Sequence, residues 1–255
     1  MRSETDAEAR QLIERAIALD PQLGWAYGMR ARIERIYDFN WAAAEVSLKR
    51  ARELEPGSVN VLREAGLFAS SLGRFDESLA LMRQGVELDP AAPDAYVFLA
   101  VPLMAVGKWE SAERNYRKAL ELEPQFPNAH YGIALTHLFR KEFDRALAEA
   151  ELEPIAYLRL SAMTAIYHAL RRKTESDAAL RELTEKYASD AAYRIAESHA
   201  YRDEVDQAMR WLEQAYKDRD AGVARILSNP LLRPLAHDPR YQAFLRKLNL
   251  PTECR

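Results

Sequence analysis

Three sets of residues recur along this chain at an almost constant step of 34 residues. Prolines recur at steps of 35, 34 and 34 residues, and both small and aromatic residues recur every 34. The prolines are Pro21, Pro56, Pro90 and Pro124; the small residues are Ala44, Ser78, Ala112 and Ala146; the aromatic residues are Trp41, Phe75, Trp109 and Phe143. A fixed period of this length predicts an array of stacked supersecondary units.

The residues within one unit predict two antiparallel helices. Pro56 and its counterparts end a helix, because proline lacks an N–H and its ring clashes with the preceding turn. Gly73 and Gly107 separate the first helix of a unit from the second, where a left-handed residue is needed. Small residues let the two helices approach closely. We therefore predict an all-α fold of stacked hairpins that leaves a long curved surface free for binding.

The composition of the 255-residue chain argues against nucleic acid and membranes as partners. Acidic residues number 39 and basic residues 36, mixed along the sequence, and the net charge is −3. This is not the clustered basic surface that phosphate backbones attract. The charged first segment does not resemble a signal peptide, and no apolar run reaches the roughly 20 residues of a membrane span. Cys254 is the only cysteine, so we expect no internal disulfide and a cytoplasmic protein.

Two units resemble the tetratricopeptide repeat (TPR). In the unit that ends at Pro90, the matching residues are Leu62, Ala65, Gly66, Ala69, Gly73, Phe75, Ser78, Met82 and Gly85. In the unit that ends at Pro124, they are Tyr96, Leu99, Ala100, Leu103, Gly107, Trp109, Ala112, Tyr116 and Ala119. The resemblance covers roughly residues 8 to 218. It implies a right-handed α-solenoid whose concave groove binds a protein or peptide partner.

The period divides the chain into a repeat array at 1–220 and a C-terminal segment at 221–255. The array is predicted to contain a half repeat at 7–21 and repeats at about 22–56, 57–90, 91–124, 125–154, 155–188 and 189–220. In the C-terminal segment, Asp238 and Pro239 predict the start of a last helix at 240–248. We expect this capping segment to cover the exposed face of the last repeat.

Three units depart from the period. One residue is inserted in the turn at 37–40, and Pro154 shortens the helix that begins near Phe143. In the unit at 155–188, Asp177 falls where a small residue belongs and Arg172 falls where glycine belongs. We expect the helices of that unit to shift their register.

The groove that the resemblance implies changes from basic to apolar along its length. Counting from the small residue of each unit places these residues on it: Arg32, Arg35, Arg63, Leu67, Ser70, Val97, Val101, Met104, Tyr131, Leu135, Leu138 and Phe139. An apolar patch on a surface usually marks a contact site. We predict a partner helix or extended peptide with aliphatic anchors and an acidic end near the arginines. The alternative is that Val97, Leu135 and Phe139 pack onto neighbouring helices or are covered by the chain's own superhelix.

The first helix has no predicted partner on one side. Residues 7–20 match the second helix of a repeat, and their apolar stripe consists of Leu12, Ile13, Ala16 and Leu19. Two explanations stay open. Either a longer chain supplies the cover, or a second copy covers the stripe and forms a homodimer without any peptide ligand.

A narrower resemblance concerns the segments 38–45 and 229–251. They are similar to the C-terminal TPR regions of bacterial multidomain signalling proteins, in which the repeats follow a class III adenylate cyclase domain or a winged-helix DNA-binding domain. This resemblance implies a regulatory module of a larger signalling protein.

No pattern of residues supports catalysis or metal binding. The nine glycines form no phosphate-binding loop, and no nucleophile motif occurs. His130 and His137 are seven residues apart on one helix face, but a third ligand is not evident. We therefore predict a protein that is not an enzyme, with no catalytic residue, no metal and no cofactor.

Overall fold

The computed structural model describes the backbone of residues 2–252 and the side chains of residues 7–252. This part of the chain contains helices and no β-strand, which confirms the predicted all-α fold. The helices of the repeat array are α1 (Arg2–Leu19), α2 (Gly24–Ile36), α3 (Trp41–Leu54), α4 (Val59–Ser71), α5 (Phe75–Leu88), α6 (Pro93–Ala105), α7 (Trp109–Leu122), α8 (Ala129–Phe139), α9 (Phe143–Leu152), α10 (Ala156–Ala169), α11 (Lys173–Tyr187), α12 (Ala192–Tyr201) and α13 (Val205–Lys217).

From α2 onward, consecutive helices pair as hairpins, and α1 packs against α2 as a half repeat. The small residues of the period lie at the helix interfaces, where Ala44, Ala112 and Ala146 are completely buried. The hydroxyl of Ser78 donates a hydrogen bond of 2.8 Å to the carbonyl of Gly66 in the partner helix. The 34-residue period therefore reflects close helix packing, because larger side chains at these positions would separate the two helices.

The turn inside each hairpin contains a residue with positive φ. Gly73 and Gly107 have φ of 73° and 75°, as the sequence predicts. In the unit at 155–188 this residue is Arg171, one position before the Arg172 that the period indicated, with φ of 59°. The small residue is Ser176, whose hydroxyl donates to the carbonyl of Thr164 at 2.9 Å. The register shift is therefore one residue, and the hairpin keeps its geometry.

The C-terminal segment contains two short 3₁₀ helices, η1 (Ala221–Arg225) and η2 (Pro230–Leu235), followed by α14 (Pro239–Lys247). The carboxylate of Asp238 accepts a hydrogen bond of 2.8 Å from the N–H of Arg240. This is the predicted N-cap, which satisfies a backbone donor that has no partner inside the helix. The helix begins one residue earlier and ends one residue earlier than predicted.

This segment packs against the last repeat and also contacts the first repeats. α14 packs on α13, where the rings of Tyr216 and Phe244 meet edge to face at 6.1 Å. On the other side, the indole Nε1 of Trp41 in α3 donates a 2.5 Å hydrogen bond to the carbonyl of Leu248. The ring of Phe39, in the turn between α2 and α3, stacks on Tyr216 at 5.4 Å. The superhelix therefore closes on itself.

The accessible surface of the protein agrees with a closed shape. It is 12388 Å², close to the ~11,400 Å² expected for a compact monomer of this mass. One continuous apolar core joins residues of α2–α5 to residues of α12–α14.

Gly222 provides a test of how tightly the C-terminal segment docks. A Cβ at this position would overlap with the buried ring of Tyr193 in α12. We expect Gly222→Ala to lower the free energy of unfolding by roughly 1–3 kcal/mol, because the segment or the ring must shift. The matched control is Gly85→Ala, which meets no atom within 4 Å and should stabilise the helix by roughly 0.5–1 kcal/mol. Urea denaturation followed by circular dichroism measures both. Equal midpoints for the two variants would contradict the close contact.

Candidate functional site

The concave side of the closed superhelix contains two adjoining cavities. The inner cavity has a volume of about 290 Å³ and lies between α6, α8 and the C-terminal segment. The mouth cavity has a volume of about 700 Å³ and lies between α2, α4 and the start of α12. The two cavities share the lining residues Phe98, Asn128, Tyr193, Arg194 and Arg225.

The inner cavity is mainly apolar. Its walls are formed by Val97, Val101 and Met104 of α6, with Leu135 of α8 and Pro230 of η2. The successive positions on α6 lie three or four residues apart, so they project from one helix face. The lining contains no Asp or Glu. This cavity can therefore accommodate an apolar group but offers no place for a free cation.

Tyr116 of α7 is another residue that lines the inner cavity. Its ring packs against the backbone of Gly132, where any side chain would overlap with it. Burial raises the pKa of Tyr116 to about 12, and the charge of Arg225 opposes this shift. The hydroxyl thus stays protonated and can donate a hydrogen bond to a ligand.

A buried polar network lies between the two cavities and holds α8, α10, α12 and η2 together. At its centre is Glu197, which is completely buried. Its carboxylate accepts hydrogen bonds from Tyr131 at 2.7 Å, Ser161 at 2.9 Å, Arg194 at 2.9 Å and Asn229 at 2.5 Å. A buried charge is stable only when it is fully paired and hydrogen-bonded, and this carboxylate meets both conditions.

The same network fixes the charge of Arg194. Burial acts to lower the pKa of Arg194, but the Glu197 carboxylate and the Tyr131 hydroxyl outweigh burial and raise it. The guanidinium also lies over the Tyr131 ring, 4.7 Å from its centroid. Arg194 is thus committed to this network and is not free to pair with a ligand.

The mouth cavity is lined by six arginines and four carboxylates. Arg35 is buried and pairs with Glu64 at 3.2 Å, and burial lowers the pKa of Arg35 against the effect of that carboxylate. Arg63 pairs with Asp94 at 2.8 Å. Arg32 is exposed and makes no ion pair with residues 7–252. The mouth therefore has an excess of positive charge, and Arg32 is available to a partner.

Arg225 of η1 lies where the two cavities meet. It is half-buried, and within the described chain its guanidinium has neither an ion pair nor a hydrogen bond. Burial raises the pKa of Tyr131 and Tyr193, and the charge of Arg225 acts in the opposite direction on both. The periodic sequence signal could not indicate this residue, because Arg225 lies outside the repeats.

Nine of the twelve predicted groove residues line these cavities. Arg32, Arg35, Arg63 and Leu67 line the mouth cavity, whereas Val97, Val101, Met104, Tyr131 and Leu135 line the inner cavity.

The other three predicted groove residues lie elsewhere. Leu138 is buried in the core, and Phe139 stacks on Trp109 at 4.8 Å. The hydroxyl of Ser70 is buried without a hydrogen-bond partner. Phe139 therefore packs onto a neighbouring helix, as the alternative prediction stated, because its ring covers Trp109 of the preceding repeat.

The apolar stripe of α1 is only partly open. Leu12 and Leu19 are 67% and 78% exposed. Ile13 is buried, and Ala16 is half-buried. The prediction of an uncovered stripe therefore applies to the two leucines and not to Ile13, which the α1–α2 contact covers.

The histidines on α8 are paired with carboxylates. Nδ1 of His130 lies 2.8 Å from Glu149, and Nδ1 of His137 lies 2.7 Å from Glu142. No group of three or more metal-ligating side chains occurs in the part of the chain that the structure describes. A search of the same residues for a helix long and apolar enough to cross a membrane finds none.

Comparison with solved structures shows the fold. PilW, described as a widely conserved type IV pilus biogenesis factor, has a TM-score of 0.63 at 22% identity, over 76% of this chain and 91% of PilW. PilF of Pseudomonas aeruginosa has a TM-score of 0.58 at 16% identity, over 78% of this chain and 91% of PilF. In the Cut9–Hcn1 complex, the matching chain has a TM-score of 0.65 at 13% identity, over 91% of this chain and 46% of that chain.

Comparison of the sequence with protein families identifies the repeat. One family described as a tetratricopeptide repeat matches residues 64–91, and a second, described as a TPR repeat, matches residues 103–138. No curated protein matches the sequence. The two matched segments contain α5 and α7 with their glycine turns, and the solenoid geometry extends over the neighbouring hairpins. The chain therefore contains tetratricopeptide repeats.

Proposed function

We propose that this protein is an interaction scaffold that binds an acidic segment of a protein partner at the mouth cavity. The TPR fold supports the general role of a protein–protein interaction scaffold. The observation that carries the specific proposal is the excess of arginine over carboxylate in the mouth, with Arg32 unpaired. Complementary charges accelerate association and select between partners.

The position of the mouth favours a short extended segment over a long helix. Arg219 lies at the rim, 5.4 Å from the Phe39 ring, and Arg63 lies 5.7 Å from the Phe98 ring. The aromatic contact holds the Arg219 guanidinium in place and leaves its N–H groups free to bond a carboxylate, whereas Arg63 is already paired with Asp94. Residues of the C-terminal segment line the inner cavity, so we expect a partner segment to bind at the mouth.

Substitution of Arg32 tests this proposal. A phage-displayed peptide library selected on the protein should yield peptides enriched in Asp and Glu. Binding of the selected peptides, measured by isothermal titration calorimetry, should weaken about tenfold in Arg32→Glu, because an attractive charge becomes a repulsive one. The control is Arg83→Glu, an exposed position on α5 outside both cavities. Peptides without acidic residues, or equal affinities in the two variants, would contradict the proposal.

We infer that the scaffold is a regulatory module of a larger bacterial signalling protein in the cytoplasm. The resemblance of residues 38–45 and 229–251 to the TPR regions of such proteins supports this. Residues of both segments, such as Trp41 and Leu248, meet where the superhelix closes.

Self-association is a second candidate function, favoured by the exposed leucines of α1. Leu12 and Leu19 lie seven residues apart, which places them on one helix face two turns from each other. A second copy that packs its α1 against this face would cover both. Such a contact has twofold symmetry and needs no peptide.

The double variant Leu12→Glu, Leu19→Glu tests self-association. Light scattering coupled to size-exclusion chromatography should report a dimer for the unchanged protein and a monomer for the variant, because the introduced charges repel each other across a twofold axis. Val46→Glu is the control, since Val46 is 68% exposed on α3. A monomeric unchanged protein, or a variant that remains dimeric, would rule out this contact.

A further inference from the structure

The inner cavity combines an unpaired cation with apolar walls. Arg225 contributes the charge, and Tyr116, whose hydroxyl makes no hydrogen bond with the described residues, lines the same cavity. A half-buried guanidinium without a partner is unusual, because removing it from water costs free energy that a counter-charge normally offsets. The missing counter-charge is therefore the first indication of a ligand.

The surroundings of Arg225 determine which charge this ligand carries. The cavity lining contains two arginines and no Asp or Glu. The nearest carboxylate in the polar network, Glu197, is completely buried and accepts hydrogen bonds from four side chains, including Arg194. On its inner-cavity side, Arg225 therefore meets no carboxylate. An anion is attracted here, and a cation is repelled.

The volume determines the size of the ligand. At about 290 Å³, the cavity is nearly twice the ~150 Å³ that accommodates benzene. This allows a ligand of roughly ten to fifteen non-hydrogen atoms. Because Val97, Val101, Met104 and Leu135 form the walls, most of these atoms must be apolar.

We propose that the inner cavity is a binding site for a small amphipathic monocarboxylate. Its carboxylate pairs with Arg225 and accepts a hydrogen bond from Tyr116, and its hydrocarbon part packs between α6, α8 and Pro230. We assign a free small molecule and not a peptide end, because the C-terminal segment covers this part of the concave side. The site goes beyond the proposed scaffold function, since its occupancy requires no protein partner.

A ligand bound in the inner cavity also contacts both parts of the protein that meet when the superhelix closes. The ligand touches Arg225, Ser228 and Pro230 of the C-terminal segment and, at the same time, helices of the repeats. A ligand that binds only the closed form stabilises it, by an amount that grows with the logarithm of the ligand concentration relative to its Kd. Because Arg225 also lines the mouth cavity, the ligand alters the charge that a partner meets there.

Three probes with the same hydrocarbon chain test the chemistry. They are octanoate, 1-octanol and octylammonium, each titrated into the purified protein by isothermal titration calorimetry. Octanoate should bind at one site per chain, at least about tenfold more tightly than octanol, because only the carboxylate pairs with Arg225. Octylammonium should not bind. Equal affinity for octanoate and octanol, or no binding of octanoate, would overturn the proposal.

Two variants locate the site. Arg225→Gln should weaken octanoate at least about tenfold and bring its affinity close to that of octanol. Arg246→Gln, an exposed arginine of α14 outside both cavities, should bind octanoate as the unchanged protein does. Val101→Trp should abolish binding of octanoate and octanol by filling the cavity.

The midpoint of thermal unfolding, measured for each variant without ligand, reports whether its fold is intact. An intact Arg225→Gln variant that binds octanoate normally would contradict the site. The scaffold proposal is tested separately, since the peptide measurement with Arg32→Glu does not depend on octanoate.

Discussion

The packing of the C-terminal segment against the first two repeats is the interaction on which the rest of this structure depends. Each hairpin buries its apolar face only against a neighbour, so the ends of a solenoid need a cover. Here Phe39 and Trp41 from one end meet Tyr216 and the Leu248 carbonyl from the other. Burial of large aromatic side chains contributes about 1.5–3 kcal/mol each. This contact turns an open superhelix into a closed one and divides its concave side into two cavities.

The buried network around Glu197 gives the closed form its specificity. Hydrophobic packing alone tolerates small shifts of one helix past another, but a buried carboxylate requires all of its donors at once. The donors lie on different elements: Ser161 is on α10, Arg194 is on α12, and Asn229 caps η2. These hydrogen bonds hold Asn229, and with it the C-terminal segment, against α10 and α12.

The sequence could predict what is periodic and local. The small residues that recur every 34 positions predicted the hairpins. Gly73 predicted a left-handed turn, because glycine has no steric penalty in that conformation. The period misplaced the turn after α10 by one residue, since Arg171 adopts the same conformation without being glycine. Cover of the groove by the chain's own superhelix was one of two alternatives that the sequence left open, and the unpaired state of Arg225 was beyond prediction. Both arise from contacts between residues far apart in sequence, which carry no repeat signal.

Small-angle X-ray scattering of the monomer separated by size-exclusion chromatography tests the closure most directly. A closed superhelix predicts a radius of gyration close to the ~18 Å expected for a compact chain of this length. An open superhelix, with the C-terminal segment away from α2–α4, would give a distinctly larger radius and an elongated distance distribution. An open superhelix would not enclose the two cavities, so that result would contradict the closure.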